Sequence, residues 1–267
     1  MSNCDFTDCT VLSPFFSRRM QPISLLTVHC AAGRGTAAGL GELFRAKGKD
    51  ASSNYGIGTD GSIGMYVPED CASWCSSSGW NDQRAVTVEV CNSAGPAEGR
   101  YDWPVSEASW AALVRLVADV CRRNGKRRVV WLGSRDAALA YAGKNGGGSQ
   151  RPDELVMTAH RWFAAKSCPG DYLYDRFGAL EAEVNRMIAS LEEDEMLTGE
   201  EIYRRLSEYL RALPAGDYAE EACRWGIKSG LFLDGDNDGL VDNPAGILTR
   251  QDLALVLMRQ EERKDEQ

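Results

Sequence analysis

Between residues 22 and 191, short runs of β-favouring residues alternate with stretches of helical period. That alternation constrains the fold more than any other feature of the chain. Ile23-Ser-Leu-Leu-Thr-Val-His29 reads as a strand. After a turn at Gly33–Gly35, Thr36 can cap a helix running to Lys47. Tyr55–Gly58 and Ser62–Val67 read as a hairpin around Thr59-Asp-Gly61, where Asp-Gly is the turn signal. Ala85–Cys91 alternates as a strand, with Val86, Val88 and Val90 on one face and Thr87, Glu89 and Cys91 on the other. Ser106 opens a helix to Asn124, and Gly125 stops it. Val129–Leu132 reads as a short strand and Asp153–Trp162 as a short helix. Tyr172–Leu191 reads as a longer helix, with an apolar stripe of Leu173, Phe177, Leu180, Val184, Met187 and Ile188. The rest is expected to be irregular: an arm over residues 1–20, a loop over 70–84 carrying Trp74 and Trp80, and loops over 93–104 and 133–152. A connection as long as the last is usually a functional rim. Strands alternating with helices predict an α/β domain, a central mixed β-sheet flanked by helices.

The chain has 267 residues, enough for one large domain and a small one. The acidic run Glu192–Glu195 reads as the break between them. Residues 1–191 form the larger domain in this reading, 192–198 a linker, and 199–267 a small all-α domain. In that last segment Thr198-Gly-Glu-Glu201 looks like a capping box ahead of a helix over Ile202–Leu213. Further helices are expected over Asp217–Ser229 and from Leu248 to Glu262. Asp234, Asp236 and Asp238, followed by Gly239, match the start of a Ca2+ loop. The acidic residue such a loop needs at its end falls on Ala245, so a plain Gly-rich turn competes with that reading. A net charge of −9 argues against a nucleic-acid partner, because phosphate binding needs a basic face. No run approaches the roughly 20 apolar residues of a membrane helix, so no membrane partner is expected. Met1–Gln21 lacks the apolar stretch of a signal peptide, which predicts synthesis in the cytoplasm. Nine scattered cysteines, without a signal peptide, suggest reduced thiols rather than a disulfide framework.

The chain has two histidines, and both stand where chemistry could use them. His29 closes the first strand. His160 lies in Thr158-Ala-His-Arg-Trp-Phe-Ala-Ala-Lys-Ser-Cys-Pro-Gly170, which also holds Lys166 and Cys168. A neutral imidazole and an ionised thiol are zinc ligands, and a catalytic zinc takes three protein ligands and one open position. Taken singly, each histidine could be an ordinary core residue and Cys168 a small buried hydrophobe. The stretches around them weigh against that.

Thr27-Val-His29-Cys-Ala-Ala-Gly33, Ser52-Ser-Asn-Tyr-Gly-Ile-Gly-Thr-Asp-Gly61, Asn81-Asp-Gln-Arg-Ala-Val-Thr-Val-Glu-Val-Cys-Asn92, Trp103-Pro-Val-Ser106 and the His160–Gly170 stretch follow one another in order. In that order they resemble the zinc-dependent N-acetylmuramoyl-L-alanine amidases, a superfamily that includes the peptidoglycan recognition proteins. The likeness is strongest to amidases of phages and prophages of Gram-positive bacteria. The resemblance implies His29, His160 and Cys168 as zinc ligands, Glu89 as the catalytic carboxylate and Lys166 as the catalytic lysine. Read without it, Glu89 could be an exposed strand carboxylate. The family's tyrosine before the hairpin is replaced by Ser53, so its role is not carried over; Tyr55 falls in the core. The resemblance further implies peptidoglycan as the partner and hydrolysis of the amide between N-acetylmuramic acid and L-alanine. It implies an endolysin that acts on the cell wall after release. Trp74 and Trp80 would then be either core plugs or platforms for substrate. The rival readings are a non-catalytic peptidoglycan-binding module and a zinc peptidase acting within the stem peptide. Trp225-Gly-Ile227, Gly230, Asp238-Gly239 and Thr249-Arg250 resemble one S-layer homology repeat. That implies a secondary cell-wall polymer as a second partner. The physics of a short helical segment allows a homo-oligomer contact instead.

Overall fold

The computed structural model describes residues 3–95, 101–195 and 204. The expected C-terminal helices, the S-layer-like stretch and the Asp234–Asp238 loop lie outside the described residues.

Seven strands form one mixed sheet. They are β1 (Cys9–Thr10), β3 (Leu25–Cys30), β4 (Tyr55–Ile57), β5 (Ile63–Met65), β7 (Ala85–Val90), β8 (Arg128–Val130) and β9 (Glu154–Thr158), in the order β1-β5-β4-β7-β3-β9-β8. Only the β4/β5 hairpin pairs antiparallel. The central strand β3 is buried along its whole length, because parallel strands carry helices on both faces. Two helices supply much of that cover. On α3 (Glu107–Arg123), Leu113, Leu116, Val117 and Val120 are fully buried. On α6 (Phe177–Glu195), Phe177, Leu180, Val184 and Ile188 are buried, matching the expected stripe, while Met187 packs at its edge. The capping residues behave as their chemistry requires. Thr36 accepts from Gly39 N at the start of α1 (Ala37–Arg45), and Ser106 accepts from Ser109 N at the start of α3.

Five expectations are corrected. Residues 153–158 are not helical: Glu154–Thr158 is strand β9, bonded in parallel to both β3 and β8. Leu-Val-Met-Thr fits a two-sided buried strand, and short apolar runs do not reveal their period. Residues 133–152 are not all loop. Ser134 caps a short helix, α4 (Arg135–Tyr141), which packs its Ala138 and Leu139 inward. The segment 70–84 holds strand β6 (Cys71–Ser73) and a helical turn, α2 (Gly79–Asp82). The N-terminal arm is ordered as well. Its strand β2 (Phe16–Arg18) pairs antiparallel with β6 in a separate two-stranded sheet, and β1 adds to the main sheet. The long C-terminal helix breaks at Asp175–Arg176 into α5 (Asp171–Tyr174) and α6, and α6 continues through Glu195 rather than ending at Leu191.

One buried arginine explains the arm. Arg19 is 8% exposed and its guanidinium donates to the carbonyls of Glu69, Cys71, Asp82 and Ala85. It stitches the arm to β6, α2 and β7 at once. A planar fork of five donors suits such a cluster of carbonyls.

Candidate metal centre

The sheet brings the chemistry to the C-terminal ends of its central strands. His29 sits near the end of β3, directly across from Glu89 on β7 in the parallel register. Strand β9 ends at Thr158, and the chain then turns into a short 3-10 segment, His160–Trp162. From there it loops back to Cys168, whose carbonyl accepts from Arg161 N at 3.0 Å.

His29, His160 and Cys168 each offer a ligand atom within 4.8 Å of the others. Cys168 Sγ lies 3.3 Å from His29 Nδ1, and the two imidazole rings lie 5.0 Å apart by their centroids. A tetrahedral zinc with Zn–S about 2.3 Å and Zn–N about 2.0 Å spaces those two donors by about 3.5 Å. The set therefore fits the ion. Protonation fits it too. Burial, with His160 beside it, pushes the His29 imidazole down to about 3, and burial and Lys166 lower His160. Both rings are thus neutral near pH 7, the form that coordinates. His29 Nε2 is buried without a hydrogen-bond partner among the described residues. The Cys30 thiol beside it and burial hold the Cys168 thiol up. A bound dication reverses that preference and releases the proton.

Glu89 is not the exposed strand carboxylate that the alternation allowed. Its side chain is 14% exposed, its Oε1 lies 3.9 Å from His29 Nδ1, and its Oε2 is buried without a partner among the described residues. Burial, then the nearby Cys30, holds it well above the usual carboxylate range. Lys166 is exposed and, with His160, lines a cleft of about 490 Å³. Ser17, Asp50, Trp74, Ser77 and Gln83 also line it. Trp74 is a cleft wall rather than a core plug. It is 42% exposed, rests on Phe15 and donates from Nε1 to Ser17 Oγ at 2.8 Å. Trp80 is partly buried, with the Arg84 guanidinium and the Lys144 ammonium over its ring. Tyr55 is fully buried, as expected, and donates to Glu69 Oε1.

Sequence reading missed the pegs beneath these side chains. Thr27 and Thr158 sit two residues before His29 and His160; Thr27 shares a face of β3 with His29, and Thr158 is the last residue of β9 before the chain turns to His160. Their hydroxyls meet at 2.7 Å, and Asn81 closes the triangle by donating to Thr27 and accepting from Thr158. All three are fully buried. Glu89 has its own peg two residues back. Thr87 is tied to Ser53, Asn54 and Ser73. The usable signal was the Thr27-Val-His29 spacing, since residues i and i+2 of a strand share a face. Nothing in the sequence connected Cys75 to this site. It lies beside His29 and Glu89, with a ligand atom of each within 4.8 Å of the other two.

The family model described as N-acetylmuramoyl-L-alanine amidase matches residues 19–171, more than half of the chain. Solved structures with a similar fold include a selenomethionine derivative of AmpD, at 18% identity over 67% of this chain and 99% of that chain, TM-score 0.45. The N-acetylmuramoyl-L-alanine amidase LysC from Clostridium intestinale URNW is similar at 16% identity over 66% of this chain and 96% of that one, TM-score 0.43. The hydrolase AmiA of Staphylococcus aureus, solved with its ligand, is similar at 18% identity over 69% and 83%, TM-score 0.44. No curated protein matches the chain.

Proposed function

The chain belongs to the N-acetylmuramoyl-L-alanine amidase family, and from that premise we propose a zinc-dependent endolysin that cleaves the bond between N-acetylmuramic acid and the L-alanine of the stem peptide. The observation that carries the zinc part is the convergence of His29, His160 and Cys168 donors within 4.8 Å, both imidazoles neutral, with His160 lining a cleft.

His29, His160 and Cys168 would hold the ion. Zinc so held lowers the pKa of water to about 7 and polarises an amide carbonyl. Glu89, whose Oε1 lies 3.9 Å from His29 Nδ1, would accept the proton of the attacking water. Burial raises its affinity for a proton, the direction a general base needs. Lys166, at the cleft surface, supplies positive charge to the oxygen that becomes anionic during attack. Glu89 then returns its proton to the leaving amine. The cleft holds the substrate so that its amide meets these groups, with Trp74 as a rigid wall.

The endolysin reading rests on the resemblance to phage and prophage enzymes, and it places the protein on the wall after a membrane lesion has released it. Residues 199–267 would carry attachment to a wall polymer or self-association. Mass spectrometry of purified peptidoglycan after digestion tests the assignment. Stem peptides with a free L-alanine amine and uncut glycan strands are expected. Fragments cut within the stem peptide would overturn it in favour of a peptidase.

A further inference from the structure

Among the described residues, two groups of side chains could hold a metal ion, and His29 belongs to both. The second is His29, Cys75 and Glu89, again with ligand atoms within 4.8 Å of one another. The same ring atom, His29 Nδ1, faces Cys168 Sγ at 3.3 Å and Glu89 Oε1 at 3.9 Å. Glu89 Oε2 and His29 Nε2 are both buried without a partner among the described residues. Cys75 itself is held in place. Its backbone N and that of Ser76 donate to the buried carboxylate of Asp82, which also accepts from Ser76 Oγ at 2.6 Å. Trp74 N, one residue earlier, donates to Ser52 Oγ.

We propose that the divalent ion has a second resting position in this chain, His29–Cys75–Glu89, an alternative to His29–His160–Cys168 that pivots on the shared imidazole. The charge balance favours it. The first set brings one anionic ligand and the second brings two, so the second neutralises a dication within a buried pocket. The Cys75 thiol and the protonated Glu89 carboxyl each give a proton to solvent as the ion binds. In this position Glu89 is a ligand and no longer a base, so the state is inactive. Soft ions such as Cd2+ share the preference for thiolate. The inference rests on the zinc reading above only through His29.

The test uses full-length protein, chelator-stripped and retitrated with Zn2+ or Cd2+. Bound metal is counted by dialysis, and thiolate ligation is followed by its near-ultraviolet charge-transfer band. Cys168→Ala and Cys168→Ser should each still bind one Cd2+ per chain with a thiolate band. Adding Cys75→Ser to either should remove the band and weaken binding at least tenfold. Alkylation mapping offers a second measurement: Cd2+ should protect Cys75 from iodoacetamide in Cys168→Ser. If the Cys168 variants bind no more Cd2+ than the double variants, or keep their band without Cys75, the second position does not exist. Wild-type protein that binds no metal at all would instead overturn the zinc reading itself.

Discussion

At the scale of single residues, the proposed centre divides into ligands and reacting groups, and the two should fail differently. With the second position disabled by Cys75→Ser, Cys168→Ala removes the one anionic ligand of the first set, so zinc affinity should fall at least tenfold below that of Cys75→Ser alone. Metal analysis of both proteins purified without added metal checks this, and equal zinc content in the two would count against the ligand assignment. Chelator treatment should abolish hydrolysis and added Zn2+ should restore it. Glu89→Gln and Lys166→Ala should instead keep zinc and lose activity. Loss of a general base or of charge at the developing oxyanion typically costs about 10²–10³ in rate. A Glu89→Gln protein that digests wall at the wild-type rate would reduce Glu89 to a structural carboxylate.

At the scale of elements, the ligands are only as fixed as the strands that carry them. The Thr27–Thr158–Asn81 triangle ties β3, β9 and α2 together directly beneath the two histidines. Thr158→Val keeps the shape and removes the hydroxyl, leaving Asn81 Oδ1 without its donor. A buried polar group so orphaned costs about 1–3 kcal/mol. The expected result is a lower melting temperature together with faster zinc loss to a chelator. A lower melting temperature with unchanged zinc release would show that the peg stabilises the sheet without positioning His160. The arm has its own lock in Arg19. Arg19→Met strands four carbonyls around a buried site, and a cost of about 2–4 kcal/mol follows from the loss of charge-assisted hydrogen bonds. Thermal or urea denaturation measures it. A loss under about 0.5 kcal/mol would mean that the arm is held by strand pairing alone.

At the scale of the whole molecule, the chain divides into two units after Glu192, and all of the proposed chemistry lies in the first. Because α6 runs through Glu195, the cut that preserves it falls after that residue. Residues 1–195 should hydrolyse a soluble muropeptide at close to the full-length rate. They should bind whole walls more weakly than the full chain, or sediment as a smaller species. Equal wall binding and equal sedimentation would leave residues 196–267 without either proposed role. Loss of zinc on truncation would make them part of the catalytic fold.

The sequence by itself determined the local pieces. Thr36 and Ser106 cap helices because a hydroxyl at those positions satisfies an orphan amide. Asp60-Gly61 turns the β4/β5 hairpin, and the stripe from Phe177 to Ile188 buries one helical face. The order of the short stretches around His29, Glu89, His160 and Cys168 also made the family legible, because the ligand chemistry permits few residue types at those points. Only the tertiary structure decided which apolar run became a strand. Leu155-Val-Met157 carries no readable period, and it is a strand because β3 and β8 both offer it hydrogen bonds. Only packing turned Glu89 from a surface carboxylate into a buried one, since its neighbours His29 and Cys75 lie 60 and 14 positions away along the chain. Only packing, too, put Cys75 beside His29 and Glu89 and Arg19 under the arm. Such contacts arise between segments remote in sequence, where no local propensity can record them.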